Sequence, residues 1–388
     1  MLSKPYSIAV LILSQIAVLS VWFSSAAVLS EMGAEAGLSA SRLAWLSTAV
    51  QVGFGTGAVI YAVLGFADRF DPRLVFAVSA ALSAGANALL LVVPVGGAEA
   101  ILLRALTGAF LAGVYPVGMK VAVGWTVANR ALLVSALVAA LTIGSAGPHL
   151  IALFGGADWR VTIWMTSLIA LCGGLSMLVV GLGPYHAKAP KLDLGAVKLA
   201  WTERPIRFAI LGYIGHMWEL YALWAWVGVI AGSSFSLAGG ASAELAKLTA
   251  FLTIALGGLV CIPAGRLADR VGKARVAGWV LAASTCSALI AAVSYGGPIW
   301  LTMTVLIVWG LTVIPDSALF SALVADGAPP ERAGTIMTVQ TATGFLLTAA
   351  TVQLTPLAAS AFGWPPVLAV MAIGPALGVW AMHALMRA

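Results

Sequence analysis

Long apolar runs follow one another along nearly the whole chain, separated by short polar breaks. A helix that crosses a bilayer needs about 20 apolar residues. On that measure the pattern predicts twelve spans: 6–30, 41–66, 73–95, 98–124, 131–155, 159–182, 206–235, 246–267, 275–296, 298–324, 334–357 and 362–386. One break is longer and more polar than the rest, the Pro-containing stretch 183–205. It divides the chain into a first group of six spans (1–182), a linker (183–205) and a second group of six (206–388). The fold class expected is an all-α membrane protein with twelve transmembrane helices in two pseudo-symmetric six-helix bundles. The first run lies behind a single Lys4. It is too long for the apolar core of a signal peptide, so it reads as the first membrane helix.

Composition sharpens the picture. Of 388 residues, 61% are hydrophobic and 9% charged, against about 25% charged in soluble domains. Lipid must therefore solvate most of the surface. Loop charge fixes the expected orientation. Fifteen Lys and Arg fall on the side of Lys4, the 183–205 linker and Arg387, and three (Arg42, Arg160 and Lys247) on the other. Both termini and the linker are thus expected in the cytoplasm, across a cell inner membrane. The net charge of +6 is loop punctuation beside an anionic leaflet, so a nucleic-acid partner has no basis. Cys172, Cys261 and Cys286 sit in apolar runs without metal spacing, and no metal or cofactor is expected.

The chain repeats itself. After span 2 it reads Leu64-Gly65-Phe66-Ala67-Asp68-Arg69-Phe70-Asp71-Pro72-Arg73, and after span 8 Gly265-Arg266-Leu267-Ala268-Asp269-Arg270-Val271-Gly272-Lys273. A signature at the same place in each half implies duplication, with a pseudo-two-fold axis along the membrane normal. The second stretch resembles the signature G-x-L-A-D-R-x-G-[RK] of the major facilitator superfamily. The first is degenerate, with Leu64 for Gly and Asp71-Pro72 for Gly-Arg. Arg104-x-x-x-Gly108 is similar to the family's span-4 motif. Gly144-Ser-Ala-Gly147-Pro148 partly resembles its antiporter motif but lacks the following Gly-Gly. The resemblance implies alternating access, a cavity lined by spans 1, 4, 7 and 10, and gate residues at Asp68, Arg69, Asp269 and Arg270. Those four either latch the cytoplasmic side or only fix topology.

Ionisable groups inside spans are expensive and mark candidate sites. In span 7, Tyr213, His216 and Glu219 share one helical face, flanked further along by Trp224 and Trp226. Glu219 lies near mid-depth, where a carboxylate can take up and release a proton, with His216 to relay it. The alternative is a structural Glu–His pair. Arg104 and Tyr115 share a face of span 4, and Arg104 either forks onto an anionic substrate group, or snorkels near the periplasmic end, or partners an internal carboxylate. Lys120, on the opposite face, reads as snorkelling. Trp309 and Asp316 share a face of span 10, where Pro315 echoes Tyr115-Pro116 of span 4. Gln15 and Trp22, seven residues apart, share a face of span 1, and Gln340 is the candidate in span 11.

No GxxxxGK[ST], GxSxG or HExxH motif occurs, so ATP-driven pumping by this chain and embedded hydrolysis have no support. The reading that remains is a monomeric secondary transporter of a small polar or anionic organic solute, coupled to protons through Glu219. A multidrug-type proton-coupled efflux pump is the alternative.

Overall fold

The computed structural model describes residues 2–125, 130–156, 158–186, 195–240 and 242–387. Among them the regular structure is helical, without strands. The chain divides into two compact units, Met1–Lys191 and Leu192–Ala388.

The first unit holds α1 Lys4–Leu19, α2 Leu29–Ala36, α3 Ala40–Leu64, α4 Phe66–Arg69, α5 Pro72–Ala88, α6 Ala98–Leu111, α7 Tyr115–Val123, α8 Arg130–Phe154 and α9 Trp159–Ser176. The second holds α10 Ala196–Thr202, α11 Arg204–Leu237, α12 Ala243–Val271, α13 Lys273–Ser294, α14 Ile299–Val313, α15 Ser317–Gly327, α16 Pro330–Phe362, α17 Trp364–Met371 and α18 Ile373–Met386. Eleven of the twelve predicted spans are long and apolar enough to cross a bilayer. The first is shorter than the sequence implied. Its helix stops at Leu19, the chain unwinds over Ser20–Ser25, and a 3-10 turn at Ala26–Val28 leads into α2. Serines at 20, 24 and 25 loosen it, because each hydroxyl offers the backbone a partner other than the helix ladder. Ser20 and Ser24 donate to the carbonyls of Ala17 and Val21 at 2.7 and 3.0 Å.

Spans 4 and 10 are also discontinuous. Each breaks before or at a proline, Pro116 or Pro315, which cannot donate to the helix ladder. The linker is not wholly irregular either. Residues 196–202 form α10, whose Ala196 and Ala200 pack with Ile206, Ile210, Val324 and Ile336 in the core of the second unit. Residues 187–194 of the linker lie outside the described residues.

In both units helices pack backbone against backbone. A Cβ on Gly53, Gly57 or Gly108 would run into a carbonyl of the facing helix, which joins α3 to α6. The same holds for Gly257 and Gly310 between α12 and α14. These are the same helix pairs in the two halves, spans 2 with 4 and 8 with 10. Such close approach is how membrane helices gain contact where lipid supplies no hydrophobic drive. Gly108 of the span-4 motif is thereby a packing residue.

Candidate functional site

The second unit carries the candidate site. α11 is a 34-residue helix buried along much of its length, and its Glu219 is 1% exposed. Two side chains from neighbouring helices donate to that carboxylate: Ser284 Oγ of α13 to Oε1 at 2.6 Å, and Trp309 Nε1 of α14 to Oε2 at 2.8 Å. One turn earlier, His216 Nδ1 stands 3.0 Å from Asp316 Oδ1, off the line of a made hydrogen bond. Both residues are at most 1% exposed, and neither imidazole nitrogen has a hydrogen-bond partner among the described residues. Asp316 takes the N-cap position of α15, yet its side chain does not cap that helix. Tyr213 and Phe320 wall the imidazole, with ring centroids 6.1 and 5.7 Å from it.

The geometry dictates how a proton would sit. An indole N–H can only donate, whereas a hydroxyl can turn from donor to acceptor. A neutral Glu219 therefore keeps its carbonyl oxygen on Trp309 and carries its proton on Oε1, toward Ser284. Buried polar groups are costly when unpaired, and here the two nitrogens of His216 and Asp316 Oδ1 have no hydrogen-bond partner among the described residues.

Other expected contacts lie elsewhere. Trp226 donates to the Val352 carbonyl of α16 at 3.0 Å, and Trp224 packs on Tyr221 at 5.7 Å. Gln340 is buried, and both its amide atoms lack a hydrogen-bond partner among the described residues.

In the first unit, Arg104 is fully buried, and all three of its nitrogens donate to neutral oxygens. Nε reaches the Leu46 carbonyl at 3.2 Å; Nη1 reaches the Val21 carbonyl, Ser24 Oγ and Asn87 Oδ1 at 3.1, 3.1 and 2.7 Å. Nη2 reaches the Trp22 carbonyl at 2.6 Å. Of the readings open in the sequence (substrate anchor, snorkelling or an internal carboxylate partner), this geometry fits internal use, with neutral oxygens in place of the carboxylate. Gln15 makes the reciprocal contact across the same pair of spans. Its Nε2 donates to the carbonyls of Val114 and Tyr115 at 3.3 and 3.4 Å, at the break in span 4. Each discontinuous helix is thus braced by a side chain of the other. Trp22 stacks on Phe54, 4.6 Å between centroids.

At the loops, Asp68 pairs with Lys120 of α7, whose Nζ also donates to the Ala67 carbonyl at 2.8 Å. Lys120 therefore has a defined partner where snorkelling was expected. The helix cap after span 2 is Asp71, which accepts from the Arg73 amide at 2.9 Å. Arg69, Asp269 and Arg270 are exposed, and the last two form the final turn of α12. In the second unit it is Lys273 that pairs, with Asp326 at 2.5 Å.

Sequence reasoning missed Ser284, Asn87 and Glu35. Asn87 was visible as a lone amide in span 3, whereas nothing separates Ser284 from other small residues of an apolar run. Glu35 of α2 accepts from Arg160 Nη1 and Nη2 at 2.9 and 2.6 Å and from Trp159 Nε1 at 2.8 Å. These bonds hold its carboxyl down to about 2.

Comparison with known proteins places this architecture. The chain is similar to the crystal structure of a mutant form of the nucleoside transporter NupG, at 12% identity and TM-score 0.73, over 98% of this chain and 99% of that one. It is similar to a D-xylose–proton symporter, at 14% identity and TM-score 0.77, over 97% and 98%. It is similar also to a bacterial homolog of the human lysosomal transporter Spinster, in an inward-facing and occupied conformation, at 13% identity and TM-score 0.74, over 99% and 98%. At such identities the likeness establishes the fold. No curated protein sequence matches. The family model described as Major Facilitator Superfamily matches residues 10–352, most of the chain. With eleven apolar helices of spanning length and one shorter among the described residues, and the repeated loop signature, this multi-pass membrane chain belongs to the major facilitator superfamily of transporters.

Proposed function

We propose that the chain is a proton-coupled secondary transporter of a small polar organic solute, working by alternating access as a monomer in the cell inner membrane, both termini cytoplasmic, without catalytic activity. The observation that carries the reading is the buried acid–imidazole cluster Glu219–His216–Asp316, anchored on one side by Ser284 and Trp309 and unbonded on the other. Proton uptake at Glu219 Oε1 would require only that Ser284 turn its hydroxyl. His216 would pass the proton between Glu219 and Asp316, and solute would meet the Tyr213 and His216 side of the cluster. Asp68, Arg69, Asp269 and Arg270 keep the part of cytoplasmic gate residues. Internal use of Arg104 removes the main reason to expect an anionic solute.

That same fact favours a second reading, multidrug-type efflux. A buried acid cluster beside aromatic rings, with Arg104 turned to carbonyls, attracts lipophilic cations. Proteoliposomes with an imposed pH gradient and a pH dye inside decide between them. Coupled transport moves protons when a substrate is added. Small polar solutes producing the signal support the first reading and lipophilic cations the second. Solute flux without proton movement, in either panel, refutes the coupling.

A further inference from the structure

We propose that the second unit carries a binding site for an anionic phospholipid on the edge formed by α10 and the adjoining ends of α11 and α18. Arg204 and Arg207 take the head-group phosphate, and the rings of Trp201 and Trp380 flank the glycerol and the upper acyl chains. α11 begins its apolar span at Arg204 and packs against both α10 and α18. Arg204 and Arg207 set their guanidinium carbons 5.8 and 5.5 Å from the centroid of one ring, that of Phe208. Phe208 in turn meets Trp380 of α18 edge to face at 5.7 Å. Arg207 Nη1 donates to the Trp201 carbonyl at 3.3 Å, which ties α10 into the same cluster. Trp201 and Trp380 are 44% and 58% exposed. Neither arginine has a carboxylate at ion-pair distance among the described residues, whereas Lys273 of the same unit is paired with Asp326. Glu203, next in sequence, is exposed and bonds to neither.

The chemistry along this edge follows the order of a phospholipid. The two cations stand at the start of the span and the exposed rings come next. Leu377, 60% exposed and one turn before Trp380 on the same helical face, continues toward the bilayer interior. A guanidinium fork matches the oxygens of a phosphodiester, and indole rings settle between head groups and chains. An anionic head group supplies the counter-charge that the protein withholds. A zwitterionic one brings its own ammonium to the same place and gains less. The name of the leaflet, cytoplasmic, rests on the orientation proposed above, and the site does not.

Native mass spectrometry of the purified protein in detergent tests the site, with equal amounts of phosphatidylglycerol and phosphatidylcholine bearing the same chains. The first lipid the parent retains is phosphatidylglycerol, favoured by about tenfold. Arg204→Gln/Arg207→Gln loses that preference. Arg266→Gln/Arg275→Gln, which removes two exposed charges of the same unit, keeps it. No preference in the parent, equal loss in the two pairs, or a preference that survives in Arg204→Gln/Arg207→Gln overturns the proposal. Complete displacement of the lipid by millimolar inorganic phosphate overturns it too, because the site would then belong to the free ion. Should the double variant not fold, Arg204→Gln alone, at the exposed first residue of α11, lowers the preference by about threefold. An unchanged ratio in that variant counts equally against the site.

Discussion

Replacing Glu219 separates its role as proton carrier from its role as a hydrogen-bond hub. The carboxylate accepts from Ser284 Oγ at 2.6 Å and from Trp309 Nε1 at 2.8 Å, and is 1% exposed. Glutamine fits in one orientation only. Its carbonyl must face Trp309, since two N–H groups cannot meet, and its amino group then faces Ser284, which turns to accept. Both contacts survive. The cost relative to an ionised parent is the difference between charged and neutral hydrogen bonds, about 1 kcal/mol each and about 2 kcal/mol in all. Relative to a protonated parent, which bonds in the same pattern, it is near zero. Alanine is different: it strands two buried donors at about 1–3 kcal/mol each and opens a cavity besides. The expected thermal midpoints fall in the order parent, Glu219→Gln, Glu219→Ala, the last on the order of 10 °C below the first. In proteoliposomes Glu219→Gln retains solute exchange down a concentration gradient and loses accumulation driven by a pH gradient. Accumulation equal to the parent's would refute the coupling role. A midpoint for glutamine as low as for alanine would refute the hydrogen-bond geometry.

Further outcomes follow from other contacts. Gly310→Ala drives a Cβ into the Thr253 carbonyl and forces α12 from α14, so it costs about 1–3 kcal/mol as overpacking does, whereas Gly85→Ala, with open space around it, raises stability by up to about 1 kcal/mol; thermal midpoints that fail to split in this direction contradict the packing. Glu35 has a folded value near 2 against an ordinary 4.5, so its fork to Arg160 stabilises fully above about pH 4.5 and fades as pH falls toward 2. The difference in midpoint between parent and Glu35→Gln should be flat from neutral to mildly acid pH and shrink below it; a difference growing in acid would reverse the sign. Lys120→Gln breaks the half-buried pair with Asp68 and should change stability by about 1 kcal/mol or less while altering transport rate if that loop gates. A thermal midpoint near the parent's with an unchanged transport rate removes Asp68 from the gate.

Much of the site was legible as residue types at mid-depth. His216 and Glu219 stand three apart, and helix geometry alone puts them on one face. Asp316 beside Pro315 echoed Tyr115-Pro116 of span 4, while the break in each span came only with the structure. Which neighbours those groups would find was not legible. Ser284 and Trp309 come from two other helices, and no periodicity encodes which rotation brings a serine of span 9 to a glutamate of span 7. Arg104 shows the same limit from the other side. An arginine in a span must be satisfied by something, and the sequence could not say whether by solute, carboxylate or carbonyl.

The sequence alone determined the class of solvent, the number of crossings, the duplication and the side on which basic loops gather. Those follow from summed transfer free energies and charge counts, which depend on composition and order along the chain and hardly at all on which helix touches which. The tertiary structure decided that span 1 stops at Leu19, that Gln15 and Arg104 brace each other's broken helices, and that α10 is drawn into the core of the second unit. A buried hydrogen bond requires two groups from distant parts of the chain to meet within a few tenths of an ångström, and only the packed backbone, brought close at Gly108 and Gly310, fixes which ones do.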